Sequence, residues 1–404
     1  MTHCIHYTQR ISSLSQPSVY LGALLVHTWG VPNDAGTTGN SAPPEIRHGI
    51  PLSAKTTLEL GGPANHTVAA DRLSTAIEAI RWARREGCSL AVMGGGSNVV
   101  AADEGWDGLI LQPVLRGFDL RRDGGLARLT VAAGEPWDDV VALTVDEGLA
   151  GLECLAGIPG WAGATPIQNV GAYGQQVAEV IESVEVLDLE TLDVSRLSAA
   201  GCRFSYRGSL FRTFPDRYLV LSVDFILRPG GEARLHYDEL VKTLDVRGAT
   251  PTLGEVRKAV LDLRKAKSMV LDPNDANRRS VGSFFLNPIL EDSAVAGLRN
   301  RSVAAGVLDS GEVMPTFPAA SGQVKVPAAW LVEKAGFAKG LRRGAVGISS
   351  RHALALIHYG GGTSQALVTL AREIRAAVGE CFGVLLEPEP VFLGFGTRNP
   401  VTEE

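Results

Sequence analysis

Eighteen residues, Gly157-Ile158-Pro159-Gly160-Trp161-Ala162-Gly163-Ala164-Thr165-Pro166-Ile167-Gln168-Asn169-Val170-Gly171-Ala172-Tyr173-Gly174, constrain this chain more than any other stretch. Seven of them are Gly or Pro, too much backbone specialisation for a plain loop. Such a run suits a surface that fits closely around a flat ring and its phosphates. Upstream, Gly94-Gly95-Gly96-Ser97-Asn98 strips side chains from a second turn. Backbone N–H groups there can approach a diphosphate, and Ser97 and Asn98 can add neutral donors, so no lysine is required. The turn is not the G-x-G-x-x-G fingerprint: Val99-Val100 continues apolar and no P-loop Lys follows.

Around these two turns the pattern alternates strand and helix from Leu58 onward. Leu73, Ala76, Ile77, Ile80 and Ala83 recur at helical spacing behind Asp71 and Ser74, which can cap the N-terminus, and Gly87 stops the helix. Ser89 to Met93 and Gly108 to Leu111 read as strands, and Ala127 to Val131 alternates with period two. Pro136 opens a helix that buries Val140, Val141 and Leu143 and ends near Gly148. Strands return at Val184 to Leu187 and Tyr218 to Leu227, and Glu255 to Lys267 reads as a helix. The last strong helix, Ser364 to Cys381, carries Leu367, Leu370, Ala371, Ile374 and Val378 on one stripe. No internal repeat is visible, and the mixture argues an α+β protein.

At 404 residues the chain is long enough for two or three domains. Charged residues make up 20% and the net charge is -6, so no broad basic surface advertises nucleic acid. The most apolar early run, Val19 to Val26, is broken by Gly22 and falls far short of the roughly 20 residues that cross a bilayer. It also lacks a small-x-small cleavage site. Asn33 to Pro44 is rich in Gly, Asn, Thr and Pro, so residues 1–50 are expected to be a disordered extension. Cys4, Cys88, Cys154, Cys202 and Cys381 are odd in number, scattered and without paired spacing, which points to free thiols in a reducing cytosol. Cys202 reads as a packing residue. The eight histidines show no metal-ligating spacing, and no G-x-S-x-G elbow is present.

The segment Ser280-Val281-Gly282-Ser283-Phe284-Phe285-Leu286-Asn287-Pro288 places one hydroxyl between a glycine and two aromatics, the setting of a proton donor in a dry pocket. Together with Gly94 to Asn98, with Arg207 in Phe204-Ser205-Tyr206-Arg207, and with Glu389 in Leu386-Glu387-Pro388-Glu389, it resembles the UDP-N-acetylenolpyruvoylglucosamine reductase family over about residues 50 to 394. The order of these motifs around Gly157–Gly174 makes the joint match specific.

The resemblance implies a two-part FAD-binding fold of the vanillyl-alcohol oxidase/p-cresol methylhydroxylase type plus a C-terminal α+β substrate domain. Its expected boundaries are 51–265 for two FAD-binding lobes, 266–385 for the substrate domain, and 386–404 for a strand that returns to the flavin region with the catalytic Glu. It implies a cytoplasmic oxidoreductase taking hydride from NADPH and reducing the enolpyruvyl ether of a UDP-sugar in cell-wall precursor synthesis, with no obligate protein partner. Gly94, Gly95, Gly96, Ser97, Asn98, Ile158, Pro159, Thr165, Ile167, Gln168, Asn169 and Gly171 are the expected FAD contacts. Many relatives place Ser at the position of Ala164, so Thr165 is expected to carry more of the diphosphate contact. No His lies in Gly94 to Asn98, so the FAD is expected to be non-covalent.

Adding hydride to the enolpyruvyl group pushes negative charge onto the carboxylate-bearing carbon, so such a site needs a fixed positive charge, hydrogen bonds and one proton. By resemblance, Arg207 and Glu389 flank the substrate carboxylate and Ser283 donates the proton. Glu389 would then be protonated, a state favoured by a dry pocket. Glu387 competes for this role, because an extended Glu-Pro-Glu puts both side chains on one face. Tyr237 resembles a mobile tyrosine of one family subtype, and Tyr173, Lys267, Asn287 and Lys325 are the other implied substrate contacts. Two other readings share parts of the pattern: an FAD-dependent oxidase or dehydrogenase of the same flavin fold acting on a sugar or hydroxy acid, and a flavin-binding module without catalysis. Neither needs Ser283, Arg207 and Glu389 together.

Overall fold

The computed structural model describes residues 44–244, 250–304, 306–309, 311–319, 322–396 and 399–403. Most of the expected N-terminal extension, residues 1–50, lies outside them. Its end does not: Arg47–Pro51 is a strand paired antiparallel with Pro63–Ala70, so regular structure begins ahead of the expected boundary.

The first lobe is a four-stranded sheet in the order Arg47–Pro51, Pro63–Ala70, Trp106–Pro113, Ser89–Val92. Its last three strands are parallel, and the helix Leu73–Arg85 makes the crossover. Of the expected stripe of that helix, Ala76, Ile80 and Ala83 are buried, joined by Ala79, while Leu73 and Ile77 are half-buried against the same core. The expected caps are not used: the N-cap is Arg72, without a side-chain hydrogen bond, while Asp71 accepts from Thr75 Oγ1 at 3.4 Å.

The second lobe is an antiparallel sheet in the order Val194–Ser198, Ile181–Asp188, Tyr218–Pro229, Leu126–Ala132, Phe118–Asp123. Ala127 and Leu129 are fully buried between exposed or half-buried neighbours, the outcome of period-two patterning on a sheet with one wet face, and the alternation ends at the buried pair Val131 and Ala132. Trp137–Asp146 and Leu253–Ala266 are the main helices of this lobe. In the second, a Thr252–Glu255 capping box fixes the start, and Val256, Ala259, Val260 and Arg264 form the buried stripe. Cys154 and Cys202 are buried free thiols, pushed up to about 12 and about 11 by burial, which agrees with a packing role.

A third core lies under the helix Ser364–Phe382, whose Leu367, Leu370, Ala371, Ile374 and Val378 are each at most 1% exposed. Burial of each large side chain contributes about 1.5–3 kcal/mol. Thr363 caps its start and Gly383, at φ 69°, its end. The helix packs on a sheet in the order Ser280–Ser283, Ala355–His358, Val346–Ile348, Arg342–Arg343. The chain then comes back: Val391–Leu393 pairs in parallel with Val99–Ala101, beside the triple-glycine turn. Among the described residues, no helix is long and apolar enough to cross a membrane.

Candidate active site

One open cleft is lined by residues of both glycine-rich turns and by Arg207, Ser283 and Glu389. Along its floor, the backbone N–H groups of Gly94, Gly95, Gly96, Ser97 and Asn98 make no hydrogen bond within the described structure. Five consecutive unpaired donors at a cleft surface form an anion-binding concavity. Gly96 needs its missing side chain: at φ 66°, a Cβ would sit 2.0 Å from the Lys55 carbonyl oxygen. The expected side-chain donors of the turn are engaged elsewhere. Ser97 Oγ donates to Pro159 O at 3.0 Å, and Asn98 Nδ2 to Gln168 Oε1 at 3.0 Å and Glu389 O at 3.3 Å. The anion site is therefore mainly backbone, and Ser97 and Asn98 instead tie the turn to its neighbours.

Of the other expected FAD contacts, Ile158, Pro159, Thr165, Ile167, Gln168 and Gly171 line the cleft. Thr165 does not offer the expected donor, because its buried hydroxyl donates to Ala162 O at 2.7 Å. Asn169 is 3% exposed and acts as a hub. Its Nδ2 donates to Gln176 Oε1 and Ser205 O, each at 2.9 Å, while its Oδ1 accepts from Ala178 N at 3.1 Å. The Ser205 contact pins the tight turn Ser205–Gly208, in which Arg207 is held at φ 52°. Strain of this kind persists where surrounding contacts over-determine it. Here Arg207 Nη2 also donates to Gly171 O at 2.8 Å.

Arg207 Nε stands 3.5 Å from Glu389 Oε1, with side-chain exposures of 23% and 10%. Gln168 Nε2 donates to the same Oε1 at 3.4 Å. The orientation of the Gln168 amide follows from its other end, where Oε1 accepts from Asn98 Nδ2 and, at 3.4 Å, from Arg212 Nη1. Burial pushes the Glu389 carboxyl above the ordinary carboxylate range, against the opposing pull of the Arg207 and Arg212 guanidiniums. Glu387, the competing acid, is exposed. Backbone pairing separates them: Glu389 N donates to Phe284 O at 2.8 Å and Leu286 N donates to Glu387 O at 2.9 Å. The two carboxyls thus do not share one environment.

Ser283, one residue before the Phe284 carbonyl that accepts from Glu389 N, ends the strand Ser280–Ser283, whose register against Ala355–His358 shifts between Ser280 and Ser283. Gly282, at φ 79°, sits in that irregularity, and a bulge of this kind re-aims the next side chain. Phe284 and Phe285, which follow Ser283 in the chain, are 0% and 2% exposed. Two cations, Arg264 in the cleft lining and Arg212 beside it at Gln168, escape motif reasoning. Arg264 lies on the buried helix stripe four residues beyond Val260; burial lowers its guanidinium to about 10, and its Nε is buried without a partner. An arginine at an apolar-stripe position was the available signal. Arg212 had none, since only the fold brings it to Gln168.

The remaining expected substrate contacts fall outside this lining. Tyr173 and Tyr237 meet edge to face at 5.3 Å, with Lys267 Nζ 5.9 Å from the Tyr173 ring and paired to Glu239 Oε2 at 2.5 Å. Lys325 Nζ lies 5.0 Å from the Tyr206 ring, its ammonium pKa lowered by burial and by Arg207. Asn287 Oδ1 accepts from Ala328 N at 2.8 Å, fastening the start of the helix Ala328–Lys334. The described residues contain no cluster of three metal-ligating side chains.

A family profile described as UDP-N-acetylenolpyruvoylglucosamine reductase, C-terminal domain, matches residues 272–393, and one described as FAD binding domain matches 64–194. The chain is 49% identical over 355 residues to UDP-N-acetylenolpyruvoylglucosamine reductase of Streptomyces coelicolor, covering 87% of this chain and 91% of the relative. With the protein of the same name from Saccharopolyspora erythraea it shares 46% over 370 residues, 90% and 98% of the two chains. Among solved structures, UDP-N-acetylenolpyruvylglucosamine reductase from Thermus caldophilus superposes with a TM-score of 0.57 at 22% identity, over 86% of this chain and 99% of that one, which shows a shared fold.

Proposed function

The chain belongs to the UDP-N-acetylenolpyruvoylglucosamine reductase family, and from that membership we propose that Arg207, Glu389 and Ser283 carry its chemistry. The protein is an FAD-containing, NADPH-dependent oxidoreductase that converts UDP-N-acetylglucosamine enolpyruvate to UDP-N-acetylmuramate in peptidoglycan precursor synthesis. The observation that carries the residue assignment is the Arg207–Glu389 pair, held at 3.5 Å in the same cleft as Ser283 and the five unpaired N–H groups.

The cleft fits the cofactor. The unpaired N–H groups of Gly94 to Asn98 suit a diphosphate, and the unpartnered Nε of Arg264 adds positive charge in the same cleft. Ile158, Pro159, Ile167 and Gly171 provide the apolar and backbone surfaces beside a ring. When bound, FAD supplies the hydride carrier between NADPH and the enolpyruvyl carbon. NADPH and the UDP-sugar use one pocket in turn, since both present a nucleotide diphosphate.

Arg207 orients the enolpyruvyl carboxylate and opposes the charge that develops on it, as a fixed guanidinium can. Glu389 faces the same oxygens in its neutral form. Its Oε1 already accepts from Gln168 Nε2 and lies against Arg207 Nε, so the proton resides on Oε2 and is donated from there. Ser283 then gives its hydroxyl proton to the carbon next to the carboxylate. An alcohol is a weak acid, and only a carbanion of comparable basicity takes its proton. Tyr173, Tyr237, Lys267, Asn287 and Lys325 hold the UDP-sugar; Lys267 exchanges Glu239 for a phosphate oxygen. The NADPH and UDP-sugar requirement supports a cytoplasmic location.

Anaerobic stopped-flow spectroscopy tests the assignment. NADPH bleaches the flavin absorbance, and UDP-N-acetylglucosamine enolpyruvate restores it. In Ser283→Ala the bleaching keeps a near-native rate while recovery slows by about 10²–10⁴-fold or more. If both half-reactions stay intact, Ser283 is not the donor. Recovery driven by oxygen alone would indicate the oxidase reading instead.

A further inference from the structure

Building on the FAD reading above, we propose that Trp161 is a cofactor-binding residue whose indole Nε1–H donates a hydrogen bond to the FAD diphosphate. The indole lies on the triple-glycine turn. A Cβ placed on Gly95 would be 3.3 Å from both Trp161 Cδ1 and Trp161 Nε1, and one on Gly94 would be 3.8 Å from Trp161 Cε3. Gly95 therefore leaves room for this ring, and the indole lies in ordinary contact with Gly94. Trp161 is itself placed by the glycine-rich run, following Gly160 at φ 121° and bridging to Pro136.

An indole nitrogen can only donate, and a donor at the edge of a cleft waits for an acceptor. The two tryptophans that line this cleft differ in this respect. Trp137 Nε1 donates to Leu155 O at 3.1 Å, whereas Trp161 Nε1 has no hydrogen-bond partner in the described structure and its ring is half-buried in the cleft wall. Around the same turn the hydroxyl donors are absent or engaged: position 164 is Ala, Thr165 donates to Ala162 O, and Ser97 donates to Pro159 O. Trp161 thus supplies the neutral side-chain donor that its neighbours do not. Its fixed, apolar ring also shields the diphosphate contacts from water, which strengthens them.

Calorimetric FAD titrations of deflavinated protein test this in the full chain, comparing native, Trp161→Phe and Trp161→His. Phe keeps a flat ring without the donor, and His restores a ring N–H. Loss of one hydrogen bond to a charged acceptor is expected to raise the FAD Kd by about tenfold or more in Trp161→Phe, with substantial recovery in Trp161→His. A Phe variant that binds like native, or Phe and His variants weakened equally, overturns the proposal. A second readout uses native protein: the indole N–H resonance missing from Trp161→Phe spectra moves on FAD addition, and a stationary signal also overturns it. Native protein that takes up no FAD refutes the parent reading instead.

Discussion

Replacing Arg207 by Met removes the guanidinium from a buried carboxyl while leaving a side chain of similar reach and the same strained backbone. At 3.5 Å and an effective dielectric constant of about 20, the lost attraction for ionised Glu389 is about 5 kcal/mol. The variant need not bear all of it, because a buried carboxyl that loses its partner takes up a proton. The sign follows from linkage. Glu389 already titrates above its usual range in the fold, so the stability it contributes is complete below the ordinary carboxylate range and is lost as pH rises through the raised value. Arg207→Met pushes that value higher, so the loss continues further up the pH scale. Urea unfolding of the flavin-free protein should show the substitution costing about 1 kcal/mol in acid, the net worth of the Arg207–Gly171 hydrogen bond. The cost should grow with pH towards, but not beyond, about 5 kcal/mol. Repeating the series in Glu389→Gln should abolish the growth. A pH-independent cost, or an unchanged slope in the Gln background, would refute the coupling of these two residues.

Two further substitutions probe the scaffold. Asn169→Ala breaks three hydrogen bonds and places Ala at φ 44°, so it should cost about 2–4 kcal/mol in urea unfolding and lower turnover by releasing the Arg207 turn; unchanged stability would contradict its role as a hub. Gly96→Ala drives a Cβ to 2.0 Å from the Lys55 carbonyl and should cost ~3 kcal/mol or more, with loss of retained flavin; a yellow protein of native stability would show that the turn can relax.

The long periodic elements were legible because each buries one face of a regular pattern: the helices Leu73–Arg85 and Ser364–Phe382 and the strand Leu126–Ala132 match their spacing to within a few residues. Short strands such as Arg342–Arg343 were not, since two residues carry no period and pairing across the fold decides them, and Val391–Leu393 was expected through the resemblance rather than from its pattern. At the site, the residues with a backbone reason or a motif were visible: the glycines, Arg207, Ser283 and Glu389. Roles set by tertiary neighbours were hidden. Nothing local reveals that Ser97, Asn98 and Thr165 spend their donors on carbonyls and an amide, or that Gln168 is clamped between Arg212 and Asn98. The choice between Glu387 and Glu389 likewise waited for the pairing of Phe285 with Pro388.

The parallel pairing of Val391–Leu393 with Val99–Ala101 imposes an order on biosynthesis. A nascent polypeptide emerging from the ribosome can form the glycine turn early, yet the acid of the proposed catalytic pair is translated 291 residues after Asn98 and docks against that turn. The cleft cannot be finished until elongation has passed residue 393. Translation products truncated before residue 389 thus lack the proposed catalytic acid, and closure of this long loop is a natural late event in maturation.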